Sequence, residues 1–247
     1  MRTLYVEYFV PKSGGQVCTE RHNELLQALQ RNLEHPVVDK VVIFSDERVP
    51  FADTFAIPFE VIPSKRITFE GVFAYANART GADDVHILCN TDIALVDGFD
   101  DIEQFLGPDD FFCLSRYELN GKISTHAHGS QDTWIWRGIN RIRGVRFPLG
   151  IRGCDCHIIG AARRARYQVS NPSKTLCTIH FHASNLRATT YGDTKIPSPW
   201  FGVTPCNLGS AGEVCRFLGK DNWPTVTEPR PITRTVLRQR CGAALRA

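Results

Sequence analysis

The sequence predicts an α/β domain built on a mostly parallel sheet, and three observations lead there. Short apolar, β-prone runs recur at 4–10, 40–44, 59–62 and 85–89, each the length of a buried strand. Helical spacing separates them: Leu25, Leu26, Leu29 and Leu33 form one stripe within 20–33, and Phe69, Val72, Phe73 and Ala76 form another within 69–79. Strands alternating with helices at this spacing predict a parallel sheet covered by helices. The run 85–89 then ends on a polar tip, Asn90-Thr91-Asp92. In open α/β sheets, ligands bind outside the carboxyl ends of the strands, so the position of this tip matters as well as its letters.

The remaining elements follow in order. Residues 11–15 are a Pro/Gly loop, 100–106 a short helix and 110–116 a strand. Residues 118–131 are polar and read as a loop, followed by a strand over 133–137 and a helix over 154–167 that opens near Asp155. A last strand over 178–182 carries His180 and His182, two residues apart and therefore on one face. Beyond residue 188 the texture changes. Residues 191–233 are rich in Pro and Gly with weak periodicity, and 236–245 read as a short terminal helix. The expected organisation is one domain over 1–188 and an extension over 189–247.

Composition narrows the function classes. With 247 residues, 43% hydrophobic and 22% charged, the chain has material for a full core and needs neither metal nor disulfide to fold. Its net charge of +3 is too small to argue for a nucleic-acid partner. Arginines do gather at Arg137, Arg141, Arg143, Arg146, Arg152, Arg163, Arg164 and Arg166. That cluster reads as a basic surface for a phosphate-bearing ligand or, for Arg163, Arg164 and Arg166, as a solvated helix face. No nucleic-acid recognition motif accompanies it. The nine cysteines are odd in number and irregularly spaced, and Cys89 and Cys113 lie in apolar runs where cysteine acts as a small hydrophobe. A reducing, cytoplasmic setting is expected. No run approaches the roughly 18 apolar residues of a membrane span, and peripheral contact with a membrane surface stays open.

Asn90-Thr91-Asp92 carries the most specific chemistry. A nucleotide diphosphate must have its charge neutralised before a sugar–phosphate bond breaks, and a hard divalent cation held by carboxylate and phosphate oxygens does this. Alone, the tripeptide is also an ordinary turn. Its surroundings point further. The run Asp83-Asp84-Val85-His86-Ile87-Leu88-Cys89-Asn90-Thr91-Asp92-Ile93 resembles the strand bearing the Asp-x-Asp motif in GT-A glycosyltransferases. Other pieces fall in the same order: Arg66-Ile67-Thr68-Phe69 with Asn77, Leu114-Ser115-Arg116, Ser130-Gln131-Asp132-Thr133-Trp134-Ile135, Phe147 to Asp155, Asn171-Pro172-Ser173 and Ile179-His180-Phe181-His182. Over roughly 3–188 the ensemble resembles small, stand-alone GT-A-type proteins associated with surface polysaccharide.

The resemblance implies a three-layer α/β/α, Rossmann-like GT-A fold and a metal-dependent, inverting transfer of sugar from a nucleoside-diphosphate sugar to a glycan or other hydroxyl acceptor. It implies a Mn2+ or Mg2+ site from Asp92, Asn90 and a late histidine, His182 ahead of His180. Tyr8, Phe9, Arg66, Asn77, Asn90, Thr91, Asp92 and Arg116 would line the donor site; Gln131, Asp132 and Trp134 would line the acceptor side. Asp155 is the leading base, with Asp132 second; the plainer reading of Asp155 is a helix cap. At least one of Trp134 and Trp136 is expected to be core. One departure is that the first motif position is Asn90, leaving one full carboxylate. Two alternatives remain. One is a nucleotide- or sugar-binding protein without turnover; the other is a structural zinc site from Cys154, Cys156, His157, Cys177, His180 and His182.

Overall fold

The computed structural model describes residues 1–50, 57–184, 186, 196–197 and 199–217. In chain order the strands are β1 (Arg2–Glu7), β2 (Lys12–Ser13), β3 (Gln16–Val17), β4 (Lys40–Phe44), β5 (Phe59–Ile62), β6 (Val85–Cys89), β7 (Ile93–Asp97), β8 (Asp110–Ser115), β9 (Tyr117–Glu118), β10 (Gln131–Arg137), β11 (Gln168–Ser170), β12 (Cys177–His180), β13 (Trp200–Val203) and β14 (Val214–Phe217). The helices are α1 (Thr19–Leu33), α2 (Phe69–Asn77) and α3 (Cys154–Arg164), with a 3-10 turn at Ile102–Gln104 where a short helix was expected.

The central sheet runs β11-β8-β10-β6-β1-β4-β5. It is parallel except for β10, which is antiparallel to both β6 and β8. The half β5-β4-β1-β6 turns back on itself at β1: the chain steps outward through β4 and β5, then crosses to the other side of β1 as β6. A crevice opens at such a reversal, at the carboxyl ends of β1 and β6.

Both faces are covered. On one, Phe69, Val72 and Phe73 of α2 and Ile158 and Ile159 of α3 pack against Tyr5, Leu88, Trp134 and Trp136. On the other, Leu29 and Leu33 of α1, with Ile93 and Leu95 of β7, pack against Leu4, Val6 and Ile87. Trp134 and Trp136 are both fully buried. Standing two residues apart on a strand, they share a face, and Trp134 meets Phe69 edge-on with ring centroids 4.7 Å apart. At least one of the two was expected in the core, and both are there.

Local chemistry sets the helix starts. Thr68 caps α2 by accepting from the Gly71 amide at 3.1 Å. Gly153 precedes α3 at φ 88, and a Cβ there would lie 3.2 Å from the Ile196 carbonyl oxygen.

The Pro/Gly-rich stretch is not a separate core among the described residues. β13 and β14 pair as an antiparallel hairpin, and Phe201 lies so close over Gly160 of α3 that a Cβ there would come within 2.7 Å of its ring. Asn171 Nδ2 donates to the Val203 carbonyl at 3.0 Å, tying the hairpin to the domain. The terminal helix expected at 236–245 lies outside the described residues.

Candidate metal centre

After β6 the chain turns through Asn90-Thr91-Asp92 and leaves the central sheet as β7. β7 joins β12 and β9 in a second, three-stranded sheet, order β7-β12-β9. Its register builds the site: His180 lies opposite Ile93 on one side and Glu118 on the other. One step further, the Phe181 amide donates to the Asp92 carbonyl at 2.8 Å. Asn32 of α1 locks this arrangement from below, donating to the Ile93 carbonyl at 2.8 Å and accepting from the Leu95 amide at 2.9 Å.

One carboxylate and two imidazoles converge as a result. Ligand atoms of Asp92, His180 and His182 all lie within 4.8 Å of one another. The two histidine rings are 5.1 Å apart. Their states differ. His180 Nδ1 is 3.0 Å from Glu118 and Nε2 is 3.1 Å from Asp92. Burial opposes a charge on His180, but these two carboxylates outweigh it and raise its pKa to about 9. His182 goes the other way: burial, then the positive charges of Arg21 and His180, lower its pKa. Its Nε2 is buried with no hydrogen-bond partner. A neutral imidazole with an uncommitted buried nitrogen fits a metal ligand. Burial also opposes the charge on Asp92, yet His180 and Arg21 hold its pKa well below the carboxylate range.

A second set of charges adjoins. Asn90 Nδ2 donates to Asp132 Oδ1 at 2.7 Å, and Arg116 binds the other Asp132 oxygen, Ser130 at 2.8 Å and Glu118 at 3.2 Å. Asp132 reaches the site through a bulge: the pairing of β10 with β8 shifts between Gln131 and Thr133, so Asp132 is the extra residue. A bulge re-aims one side chain, which lets Asp132 point away from the alternation of its strand. Asp155 lies in the first turn of α3. Burial, then the charge of Asp132, push its pKa up to about 7, with Arg116 and the Cys156 amide acting against the rise. The cap reading of Asp155 is corrected: the N-cap is Gly153, and the Asp155 carboxylate accepts from the adjacent Cys156 amide at 2.9 Å.

The structure brings Asn90, Asp92, Arg116, Asp132, His180 and His182 together, with Thr91 half-buried at the middle of the turn. Other expectations are corrected. Trp134 is sealed in the core and offers no face to an acceptor. Gln131 is fully buried, its amide donating to the carbonyls of Ala127 at 2.9 Å and His128 at 2.8 Å. Tyr8 is 1% exposed and its hydroxyl sits 2.8 Å from His22, so it cannot stack on a base. Asn77 ends α2 at the amino edge of β6, opposite the motif, and exchanges hydrogen bonds with the Asn140 backbone at 2.9 and 2.7 Å. Arg66 is bound to Glu7 and the Leu149 carbonyl, with its guanidinium 5.8 Å over the half-buried Phe9 ring. This pair stands at the end of β1, whereas Arg116 is committed to acids rather than open to a diphosphate.

Residues missed in the sequence are Arg21, Glu118 and Glu7. Arg21 had a signal, an arginine one helical turn before Leu25 on the apolar stripe of α1. Glu7 stands buried at the end of an apolar strand, its pKa raised to about 7 by burial despite Arg66. Glu118, in a polar loop, had none.

The cysteine-based zinc site is corrected: among the described residues the one group of three or more metal-type ligands is Asp92, His180 and His182. Cys154 packs in the core and Cys156 packs with Trp200. Several of the clustered arginines are paired, Arg137 with Asp83, Arg141 with Asp109 and Arg146 with Glu70. No described helix is long and apolar enough to cross a membrane.

Fold and site together define an α/β protein with a candidate metal centre at the carboxyl edge of a mostly parallel sheet. No family model matches the sequence, and no curated protein matches it. Among solved structures, the chain is similar to mannose-6-phosphate isomerase from Helicobacter pylori (TM-score 0.35, 9% identity, covering 55% of this chain and 70% of that one). It is also similar to HddC from Yersinia pseudotuberculosis (TM-score 0.34, 13% identity, covering 55% and 76%). At these scores neither likeness assigns a reaction.

Proposed function

We propose that this chain is a GT-A-type glycosyltransferase on a three-layer α/β/α fold. It moves a sugar from a nucleoside-diphosphate sugar to a hydroxyl acceptor in polysaccharide or glycan synthesis. The observation that carries this reading is the meeting of Asp92, His180 and His182, within 4.8 Å, at the sheet's carboxyl edge; Asp155, whose pKa is near 7, interacts with Asp132 and Arg116 of the adjoining charge set. A divalent cation held by Asp92 and His182 would neutralise the diphosphate as the sugar leaves. The imidazole in that set favours Mn2+ over Mg2+.

The chain's own groups divide the remaining work. Asp155, with a pKa of about 7, takes the proton of the acceptor hydroxyl; a base is most effective when its pKa lies near the working pH. Direct attack by that hydroxyl inverts the anomeric centre. Asp132, its oxygens engaged by Asn90 and Arg116, orients the acceptor rather than taking its proton. A second reading, ligand binding without turnover, is favoured by how fully the acids are already paired, Asp92 by Arg21 and Asp132 by Arg116.

Thermal denaturation of the full chain against a panel of nucleoside diphosphates, with and without Mn2+, tests the reading. A ligand at 100 times its Kd stabilises the native state by about 2.7 kcal/mol. The expected shift needs both nucleotide and metal and is lost in His182→Ala. That variant loses the ring contact with His180 but no hydrogen bond at Nε2, so each protein's shift is measured against its own ligand-free Tm. A shift without sugar release from any donor supports the binding protein; no shift with any nucleotide rejects the nucleotide-sugar donor site and with it the glycosyltransferase reading.

A further inference from the structure

Arg21 is a cation in an apolar stripe. It shares the buried face of α1 with Leu25, Ala28 and Leu29, and only 8% of it is exposed. A charge in that setting persists only when paired. Its two terminal nitrogens are paired differently. Nη1 donates to Glu24 at 2.8 Å and to the Phe181 carbonyl at 2.7 Å, between the two histidines. Nη2 binds Asp92 Oδ2, the oxygen that His180 also approaches. Glu24 is anchored in turn by the Ser184 amide at 2.7 Å and its hydroxyl at 3.0 Å. The guanidinium therefore has one fixed edge, and the other edge rests on the carboxylate of the metal-type triad.

We infer that Arg21 is a resident counter-cation that holds Asp92 against a divalent ion until a diphosphate draws its Nη2 edge away, so that metal and diphosphate bind as a coupled pair. This rests on the metal-centre reading above. A dication entering beside a guanidinium in a partly buried site meets strong like-charge repulsion. A diphosphate reverses the balance. Its oxygens match the planar fork of arginine, and Nη2 can turn to them while Nη1 keeps Glu24 and Phe181. Asp92 is then released to the metal. Such coupling is reciprocal: whatever factor pyrophosphate adds to metal affinity, metal adds to pyrophosphate affinity.

The test measures Mn2+ binding to the full chain from the free-ion paramagnetic resonance signal, with and without inorganic pyrophosphate, allowing for the Mn2+–pyrophosphate complex in solution. In the wild type, pyrophosphate should strengthen Mn2+ binding by about tenfold or more, the ordinary size of a coupling between two sites. Arg21→Met should bind Mn2+ alone about tenfold more tightly than wild type, and pyrophosphate should add little to it. Arg21→Lys, which keeps the charge, should stay near the wild-type affinity for Mn2+ alone. Arg21→Met binding Mn2+ no more tightly than wild type overturns the inference while leaving the metal centre standing. If Arg21→Met does not fold, equal wild-type Mn2+ affinity with and without pyrophosphate overturns it just as well. Absence of Mn2+ binding in every variant, with or without pyrophosphate, rejects the metal centre and the inference together.

Discussion

Replacing Asn90 with aspartate would add a second carboxylate to the turn and place it against Asp132. In the wild type, Asn90 Nδ2 donates to Asp132 Oδ1 at 2.7 Å. A hydrogen bond to a charged group contributes about 1.5–3 kcal/mol, which Asn90→Asp removes. Two carboxylate charges about 3 Å apart, at an effective dielectric of about 20, then repel by about 5–6 kcal/mol. Arg116 on the other Asp132 oxygen reduces that, and protonation limits it. Holding a proton on an ordinary carboxyl at pH 7 costs about 4 kcal/mol, from three pKa units at about 1.36 kcal/mol each, and the proton then restores a hydrogen bond. The net loss is about 2–4 kcal/mol, or a fall in Tm of roughly 5–15 °C for a domain of this size. The sign with pH follows. The folded pair binds a proton more tightly than the unfolded chain, so the deficit is smallest near pH 4 and grows as pH rises toward 8. Differential scanning fluorimetry at several pH values measures this, with Asn90→Ala, which loses the bond without adding charge, as the reference. An Asn90→Asp protein as stable as wild type at pH 8, or with a deficit equal at pH 5 and pH 8, would refute the reasoning.

Two further outcomes are expected. Arg66→Met leaves Glu7, 4% exposed, with the Ile67 amide at 3.1 Å but no counter-charge, and should cost about 3–5 kcal/mol in urea denaturation at pH 8, less at pH 5 where Glu7 takes a proton; a loss under about 1 kcal/mol would contradict the pairing described. Asp155, raised to about 7, contributes stability that is present below its unfolded pKa near 4 and lost as pH rises through about 7. Asp155→Asn escapes that loss, so its Tm relative to wild type should climb between pH 5 and pH 8 while sugar transfer falls roughly 10²–10⁴-fold. A flat Tm difference would argue against a raised pKa, and unchanged turnover would argue against the base.

The sequence made the central strands legible because a buried parallel strand is an unbroken apolar run, and 40–44 and 85–89 emerge with the bounds read from sequence. It hid β7. Ile93–Asp97 follows the turn directly as a five-residue run, and its partner β12 lies some eighty residues on. The acidic and histidine residues of the site were legible as chemistry because they stand at the end of, or alternate within, otherwise apolar runs. Their partners were less so. Glu118 reaches His180 through the register of a two-residue strand, which no periodicity announces. Asn77 ends α2 and is carried to the amino edge of the sheet, where it holds the Asn140 backbone, and nothing local in the sequence shows which end of the sheet a helix terminus reaches. Trp134 and Gln131 were misread because the bulge at Asp132 changes which neighbours face the ligand side.

The hydrogen bond from Arg21 to the Phe181 carbonyl closes a loop of 160 residues. During synthesis at about 5–20 residues per second, roughly 10–30 s separate the two partners. Through that interval the first helix offers a guanidinium with no acceptor among the histidine segment, and the turn at Asp92 has no β12 to pair with β7. The central strands β1, β4 and β5 have their partners early; the charged crevice has its last ones late. Order in the chain thus divides the molecule into a scaffold that can form as it is made and a site that must wait for its final strand.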